Sequence, residues 1–150
     1  MFEQLSQENA EIIANQWKYE GEYSFYNLTE DPEDYEEMLS PTLRANHYFQ
    51  YVRKGELIGY FVLEEDGEVL LFGLGLAPEL TGNGHGSQFL QDILTYIHEN
   101  YSQPIIRLGV AEFNVRAQKV YRKAGFTVTR HYLQETNGGQ FPFIEMEKNI

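Results

Sequence analysis

Three glycines at alternate positions, Gly82, Gly84 and Gly86, separate an apolar run from an amphipathic one in LFGLGLAPELTGNGHGSQFL. Glycine lets backbone amides approach an anion closely, and the free amides and positive dipole end of a following helix favour phosphate. The spacing locates a phosphate without naming its owner. It is not the dinucleotide pattern, because Gly82-x-Gly84-x-x would need glycine where Ser87 stands, and no Lys-Ser/Thr follows as a P-loop requires. A glycine-rich turn joining a strand to a helix would look the same. In the run before it, Gly73 and Gly75 alternate with Leu74 and Leu76, which strips one strand face of side chains. Glycine inside a strand marks a bulge or the close approach of a ligand or another backbone. Gly109, in the later run IIRLGV, repeats the feature on the expected parallel neighbour. Two facing bare positions suggest a slot; the alternative is that a bulky neighbour fills the space.

Further along, Asn114, Ala117 and Tyr121 stand at i, i+3 and i+7, on one helical face that can serve one ligand. Asn114 is also a natural helix N-cap, and Tyr121 could equally be a core tyrosine. Arg116, Lys119, Arg122 and Lys123 place four of the eleven basic residues on the same stretch. The four histidines, His47, His85, His98 and His131, show no paired metal spacing, so no metal is expected.

The elements that must carry these residues follow from periodicity and punctuation. Leu5 and Ser6 staple and cap a first helix running to about Gln16, with Ile12, Ile13 and Trp17 on one side. WKYEGEYSFYNLTE is aromatic-rich and interrupted by Gly21, which reads as a loop or broken helix. Asp31 before Pro32 starts another helix, and Ser40-Pro41 ends it. From Asn46 three β-rich runs, punctuated at Lys54-Gly55 and Asp66-Gly67, form an antiparallel meander. SQFLQDILTYIHEN has helical spacing and leads through Pro104 into IIRLGV, and strand, helix, strand implies a right-handed parallel crossover. NVRAQKVYRKAGF is a second such helix, closed by Gly125, and Phe126 to Leu133 with Phe141 to Met146 form closing strands around a Gly138-Gly139 turn. The whole is an α/β (α+β) chain: a mixed sheet with helices packed on it.

One domain of 150 residues is large enough for a single core. Cysteine is absent, which excludes disulfides, thiolate metal sites and cysteine nucleophiles. A net charge of −12 disfavours a nucleic-acid partner and suits a cationic acceptor, although an acidic balance commonly reflects a solvated surface alone. There is no apolar run long enough to span a membrane, and the start MFEQLSQENA lacks the pattern of a signal peptide, so a cytoplasmic protein is expected.

Here the residues resemble the GCN5-related N-acetyltransferase (GNAT) superfamily. The match is close from about Leu70 to Phe126, and the order of elements agrees over most of the chain. One family hallmark is a strand ending in an apolar residue, then Pro, then Arg/Gln-x-x-Gly-x-Gly/Ala opening a helix. In this chain it is Leu76-Ala77-Pro78 followed by Thr81-Gly82-Asn83-Gly84-His85-Gly86. Thr81 stands where the family has Arg or Gln, which leaves the grip mainly to the backbone. The second hallmark, Asn-x-x-Ala-x-x-x-Tyr-x-x-x-Gly-Phe, is present as Asn114, Ala117, Tyr121, Gly125 and Phe126. The resemblance implies a mostly antiparallel central sheet of six to seven strands, its parallel fourth and fifth strands splayed around the cofactor, with helices on both faces. It implies acetyl-CoA as co-substrate, its pantetheine arm and thioester carbonyl bound by amides around Leu74 and Leu76, and its pyrophosphate held by Thr81, Gly82, Asn83, Gly84, His85, Gly86 and Ser87. Asn114, Arg116, Ala117, Lys119 and Tyr121 would complete the cofactor site. Tyr121 takes the role of proton donor in the family, and the chemistry agrees: an amine attacking the thioester expels a thiolate, and a phenol of pKa about 10 can protonate it.

An amine acceptor must itself lose a proton. For a lysine amine this costs about 4–5 kcal/mol at pH 7, against little over 1 for an α-amine. Family members that acetylate protein N-termini often carry a glutamate where this chain has Gly109, so Glu112, Glu22, Glu20 and His131 remain as candidate bases beside a water relay. The acceptor site in the superfamily is shaped by the first helices and the last hairpin, which points to Trp17, Tyr19, Glu22, Tyr23 and Tyr26 and to Tyr132 with Phe141. Aromatics with carboxylates suit an ammonium group, of a small molecule or a protein. The expected activity is direct acetyl transfer to a primary amine by a monomer or homodimer. Two alternatives stand: a non-catalytic acyl-CoA-binding sensor, and a transferase of a longer acyl group.

Overall fold

The computed structural model describes residues 2–82 and 84–150. Seven strands, β1 (Phe2–Gln4), β2 (Tyr48–Arg53), β3 (Glu56–Asp66), β4 (Val69–Leu76), β5 (Ile105–Ala111), β6 (Thr127–Thr136) and β7 (Gly139–Asn149), form one sheet in the order β1-β2-β3-β4-β5-β7-β6. The helices are α1 (Gln7–Gln16), α2 (Pro32–Leu39), α3 (Pro41–Arg44), α4 (His85–Asn100) and α5 (Val115–Lys123). The sheet is mixed: β4 and β5 pair parallel, through Val69, Leu70 and Leu71 opposite Ile105, Ile106 and Arg107, and β5 pairs antiparallel with β7 over seven residues. The parallel register closes at Leu71, although β4 continues to Leu76 and β5 to Ala111. No described helix is long and apolar enough to cross a membrane.

The chain divides into two compact units. The first comprises Met1–Val62, Leu74–Glu79 and Glu135–Gln140. Its α1 starts at Ser6, whose hydroxyl accepts from the Asn9 amide, and buries Ala10, Ile13 and Ala14. The ring of Phe61 is fully buried between Phe49, stacked at 5.0 Å, and Phe2, edge-on at 5.0 Å. The short strand β1 carries too few residues to show a period, and Ser40-Pro41, expected only to end α2, also starts α3, the Ser40 hydroxyl accepting from the Leu43 amide. The aromatic stretch after α1 is a 3-10 turn over Gly21–Tyr26 and another over Leu28–Glu30.

The second unit comprises Leu63–Gly73, Leu80–Gln134 and Phe141–Ile150. Helix α4 buries Phe89, Leu90, Ile93 and Ile97, the i, i+1, i+4, i+8 stripe of an amphipathic helix, and its core also holds Leu70, Ile106, Phe126 and Met146. Helix α5 ends at Gly125, whose φ of +102° suits only glycine, and the Phe126 amide returns to the Tyr121 carbonyl. The closing strands run further than their apolar pattern, and their turn is Asn137-Gly138, one residue earlier than expected. Both have positive φ, +50° and +77°, as a type I′ turn requires.

Asp31 ties the first unit together. Its Oδ1 caps α2 by accepting from the Glu33 and Asp34 amides, while its Oδ2 accepts from the Thr136 hydroxyl at 2.7 Å and the Asn137 amide at 3.0 Å. Asn137 in turn donates through Nδ2 to the Phe25 carbonyl. The Thr136 and Asn137 hydrogen bonds hold the Asp31 carboxyl below the usual carboxylate range. Asp31→Ala removes a cap worth about 1 kcal/mol and two further hydrogen bonds of similar size, so chemical denaturation should report a loss of about 2–3 kcal/mol at pH 7. Because the folded-state value is depressed, this contribution is present above the unfolded value near 4 and is lost as pH falls through the lowered one. Wild type and variant should therefore converge in strong acid; equal stability at pH 7 would exclude the clasp.

Candidate functional site

The glycine loop sits between a 3-10 turn at Pro78–Leu80 and the first residue of α4, His85. Gly82 and Gly84 have φ of +79° and +81°, and Gly84 occupies the N-cap of α4 without a side-chain cap. The first-turn amides of any helix lack intrahelical partners, and this first turn carries no acidic residue to occupy them. Among the described residues, chain neighbours and the helix's own backbone aside, nothing stands within 4 Å of the place a Cβ would take on Gly84 or Gly86. At Gly82 the same place is bounded by one group, the Arg116 Nη1, at 3.2 Å. Thus α5 delivers a guanidinium to the glycine loop, joining two motifs some thirty residues apart in sequence. Thr81 is half-buried, and His85 and Ser87 are exposed. Asn83 lies outside the described residues.

Helix α5 is built for that role. Asn114 caps it, its Oδ1 accepting from the Ala117 amide at 3.1 Å. Gln118, buried, donates to the carbonyls of Ala111 and Glu112 and stitches the helix to the end of β5. Tyr121 is buried to 8% exposure with its ring edge-on to Phe126 at 5.7 Å. Ala117 is half-buried beside it on the helix, while Arg116 and Lys119 are exposed. The N-cap and core readings of Asn114 and Tyr121 are both true of the structure and leave room for a ligand role.

The bare strand positions are filled. A Cβ on Gly75 would collide with the ring of Tyr60, and one on Gly109 with the hydroxyl of Tyr132, so the expected slot is occupied by two tyrosines. Glycine is required here because a side chain of the same unit crosses the strand. Of these three strand glycines, Gly73 has open space among the described residues. Tyr132 also packs on Phe143 at 6.0 Å and under the Arg130 guanidinium at 4.6 Å, and burial pushes its phenol up.

Of the candidate bases, Glu112 is exposed and faces His131 Nδ1 at 3.7 Å, which is also exposed; Glu20 and Glu22 are exposed. Among the described residues no group of three or more His, Asp or Glu could hold a metal ion.

In the first unit the expected acceptor aromatics gather unevenly. Tyr19 donates its hydroxyl to the Leu76 carbonyl at 2.7 Å, and Trp17, buried, lies 6.2 Å from Tyr60. Tyr26 packs edge-on against Phe25, and Tyr23 is half-buried in the same turn. Three residues were not anticipated. Tyr60 stacks on Tyr48 at 6.5 Å, and the Tyr48 hydroxyl bonds the Glu37 carboxylate. Asp34, on the first turn of α2, is pushed up to about 6, first by desolvation and then by the charges of Asp31, Glu37 and Glu33. Its side chain also reaches solvent, and the like charges crowded on α2 add to the effect of burial. Tyr60 is half-buried as a residue, and burial of its phenol, with the charge of Asp34 adding to it, pushes it up to about 12. The signal that could have found Tyr60 was Gly75, which announces a close approach without saying by what.

The model of the Acetyltransferase (GNAT) family matches residues 10–126. No curated protein matches the sequence. Among solved structures, the fold is similar to a spermidine N-acetyltransferase from Vibrio cholerae in complex with CoA and spermine, with TM-score 0.76, 21% identity, and coverage of 99% of this chain and 94% of that one. It is similar to a ribosomal-protein-alanine N-acetyltransferase from Brucella melitensis, with TM-score 0.68, 14% identity and coverage of 100% and 99%. An IAA acetyltransferase from Bacillus cereus is similar at TM-score 0.66, 16% identity and coverage of 100% and 99%.

Proposed function

Since the chain belongs to the GNAT acetyltransferase family and is an acetyl-CoA-dependent N-acetyltransferase, we propose that its acceptor is a cationic primary amine, acetylated directly, without a covalent enzyme species. The amine nitrogen attacks the thioester carbon, the carbonyl oxygen gains charge in a tetrahedral intermediate, and the carbon–sulfur bond breaks. Tyr121 gives its phenolic proton to the departing thiolate, and the attacking nitrogen gives its surplus proton to water, with Glu112 beside His131 as the side-chain candidate for receiving it. The amides of Leu74 and Leu76 meet the pantetheine arm and the thioester oxygen. The backbone from Thr81 to Ser87, with Arg116 and Lys119, holds the pyrophosphate, and Asn114, Ala117 and Tyr121 present one face to the cofactor.

The observation that carries this reading is the Arg116 guanidinium at Gly82, beside an uncapped helix N-terminus with no acidic residue in its first turn. A strand-to-helix turn with a purely structural role has no need of that convergence.

For the acceptor, Trp17, Tyr19, Tyr23 and Tyr26 with Glu22 supply aromatic and acidic surface, and Asp34 adds a carboxylate that ionises near pH 6. The spermidine and ribosomal-protein enzymes of similar fold act, by their names, on a polyamine and a protein amine. The crowd of carboxylates on α2 favours the more highly charged of these two acceptor types. The test is thiol release from acetyl-CoA against polyamines, amino acids and N-terminal peptides. The expected result is turnover of polyamines with a KM that falls as pH rises through 6, and a KM about tenfold higher in Asp34→Asn with kcat little changed. A pH-independent KM unaffected by Asp34→Asn would remove Asp34 from the acceptor site. Tight acetyl-CoA binding with no amine turned over would identify a sensor instead.

A further inference from the structure

We propose that Tyr19 is a positioning residue for the acetyl carbonyl: its hydroxyl, bonded to the Leu76 carbonyl, fixes the edge of β4 that presents amides to the thioester. The proposal rests on the placement of the thioester at the end of β4 given above.

The geometry of the strand leads to it. The Ala77 amide donates to the Ile58 carbonyl at 2.9 Å, so the backbone of Ala77 faces β3. Along a strand the N–H and C=O groups of successive residues point to opposite edges, and those of one residue point to the same edge. Leu76, and with it Leu74, therefore directs both its amide and its carbonyl away from β3. On that edge the Tyr19 hydroxyl meets the Leu76 carbonyl at 2.7 Å.

A strand with Gly73 and Gly75 on either side of Leu74 needs such a constraint. Glycine widens the accessible φ and ψ range, and an amide that must meet an oxygen within a few tenths of an ångström cannot sit on a loose backbone. Two tyrosines of the same unit supply the stiffness that Cβ atoms would have given. Tyr60 fills the face over Gly75, and Tyr19 holds the edge at Leu76. Tyr19 is itself fixed, since its amide donates to Asn27 Oδ1 at 2.7 Å. Burial, with Tyr60 and Glu79 adding to it, pushes the Tyr19 phenol far up, so it remains a donor to the carbonyl throughout the working pH range. The Leu76 carbonyl and the Ala77 amide belong to one peptide, so Tyr19 on the carbonyl and Ile58 on the amide hold that peptide from both edges and set the angle at which the strand end meets the ligand.

The test is Tyr19→Phe, which keeps the ring and removes the hydroxyl. With acetyl-CoA labelled at the carbonyl carbon, the infrared band of the bound thioester in the wild type should lie below its solution frequency. In Tyr19→Phe it should move back toward that frequency, kcat should fall about tenfold, and the affinity for CoA, which lacks the acetyl group, should stay within twofold. An effect confined to folding would weaken CoA binding and leave the band in place, and that result would overturn the proposal. An unmoved band and unchanged kcat in a variant that binds CoA normally would overturn it as well, while leaving the acetyl-CoA reading intact. If the wild type binds no acetyl-CoA, both readings fall together. Should Tyr19→Phe not fold, Asn27→Ala, which frees the Tyr19 backbone and keeps the phenol, should move the band in the same direction by a smaller amount; no movement there would count against the proposal.

Discussion

Tyr121→Phe is expected to lower kcat about 100-fold at saturating acetyl-CoA and acceptor, while changing the affinity for acetyl-CoA by no more than a few-fold. The two halves of that result have different origins. The ring of Tyr121 is buried and packs edge-on to Phe126 at 5.7 Å, and phenylalanine retains that contact, so the α5 face proposed to meet the cofactor keeps its shape. What is lost is one proton. A thiol of pKa about 8.5 leaves water-exposed sites readily as a thiolate, and a phenol near 10 is the weaker acid by more than a unit, so in bulk water the donor would contribute little. Inside a site that excludes water the thiolate has no hydration to replace the bond it is losing, and a positioned donor then contributes the 10²-fold or more typical of general acids, about 2.7 kcal/mol. Acyl donors whose leaving thiol is more acidic should be less sensitive to Tyr121→Phe. Steady-state kinetics with two such donors measures both effects. An unchanged kcat would assign Tyr121 to the core alone.

The sequence reading and the structure part company at identifiable residues. Motifs whose meaning is local survived. Ser6, Asp31 and Asn114 cap the helices they precede, because a cap depends on three or four neighbouring residues and a backbone amide. The family motifs between Leu76 and Phe126 were legible for the same reason, and the family match over residues 10–126 contains that whole stretch. Residues whose meaning depends on a partner distant in sequence were not legible. Gly75 and Gly109 announced something close to the backbone, and what lies there, Tyr60 and Tyr132, belongs to other strands that no spacing rule connects to them. Asp34 looked like an ordinary first-turn acid of α2; its raised value arises from packing and from Glu37, Glu33 and Asp31 held on one short helix. The Asn137-Gly138 turn was displaced by one residue because two glycines follow the asparagine, and only the backbone distinguishes which pair turns. Arg116 stood out in the sequence as one of four clustered basic residues, and its contact with Gly82 separates it from the rest.

Gly84→Val should lower the affinity for acetyl-CoA more than 100-fold, about 2.7 kcal/mol, with a smaller loss of fold stability. Two effects of the substitution can be separated. The first is strain: Gly84 has φ of +81°, a conformation that costs a β-branched residue about 1–2 kcal/mol wherever it occurs. The second is obstruction. Among the described residues, chain neighbours aside, nothing stands within 4 Å of a Cβ at Gly84, so the new side chain occupies the open space at the N-cap of α4. The amides there can hold a pyrophosphate only if its oxygens come within about 3 Å, a distance an isopropyl group forbids. Gly67→Val isolates the first effect, because Gly67 has φ of +62° and equally open surroundings in the β3–β4 turn. The pair should therefore lose similar stability in thermal denaturation and differ sharply in calorimetric titration with acetyl-CoA, Gly67→Val binding as the wild type does. Equal affinity in both variants would place the phosphate elsewhere and dissolve the link between Arg116 and the glycine loop on which the cofactor assignment stands.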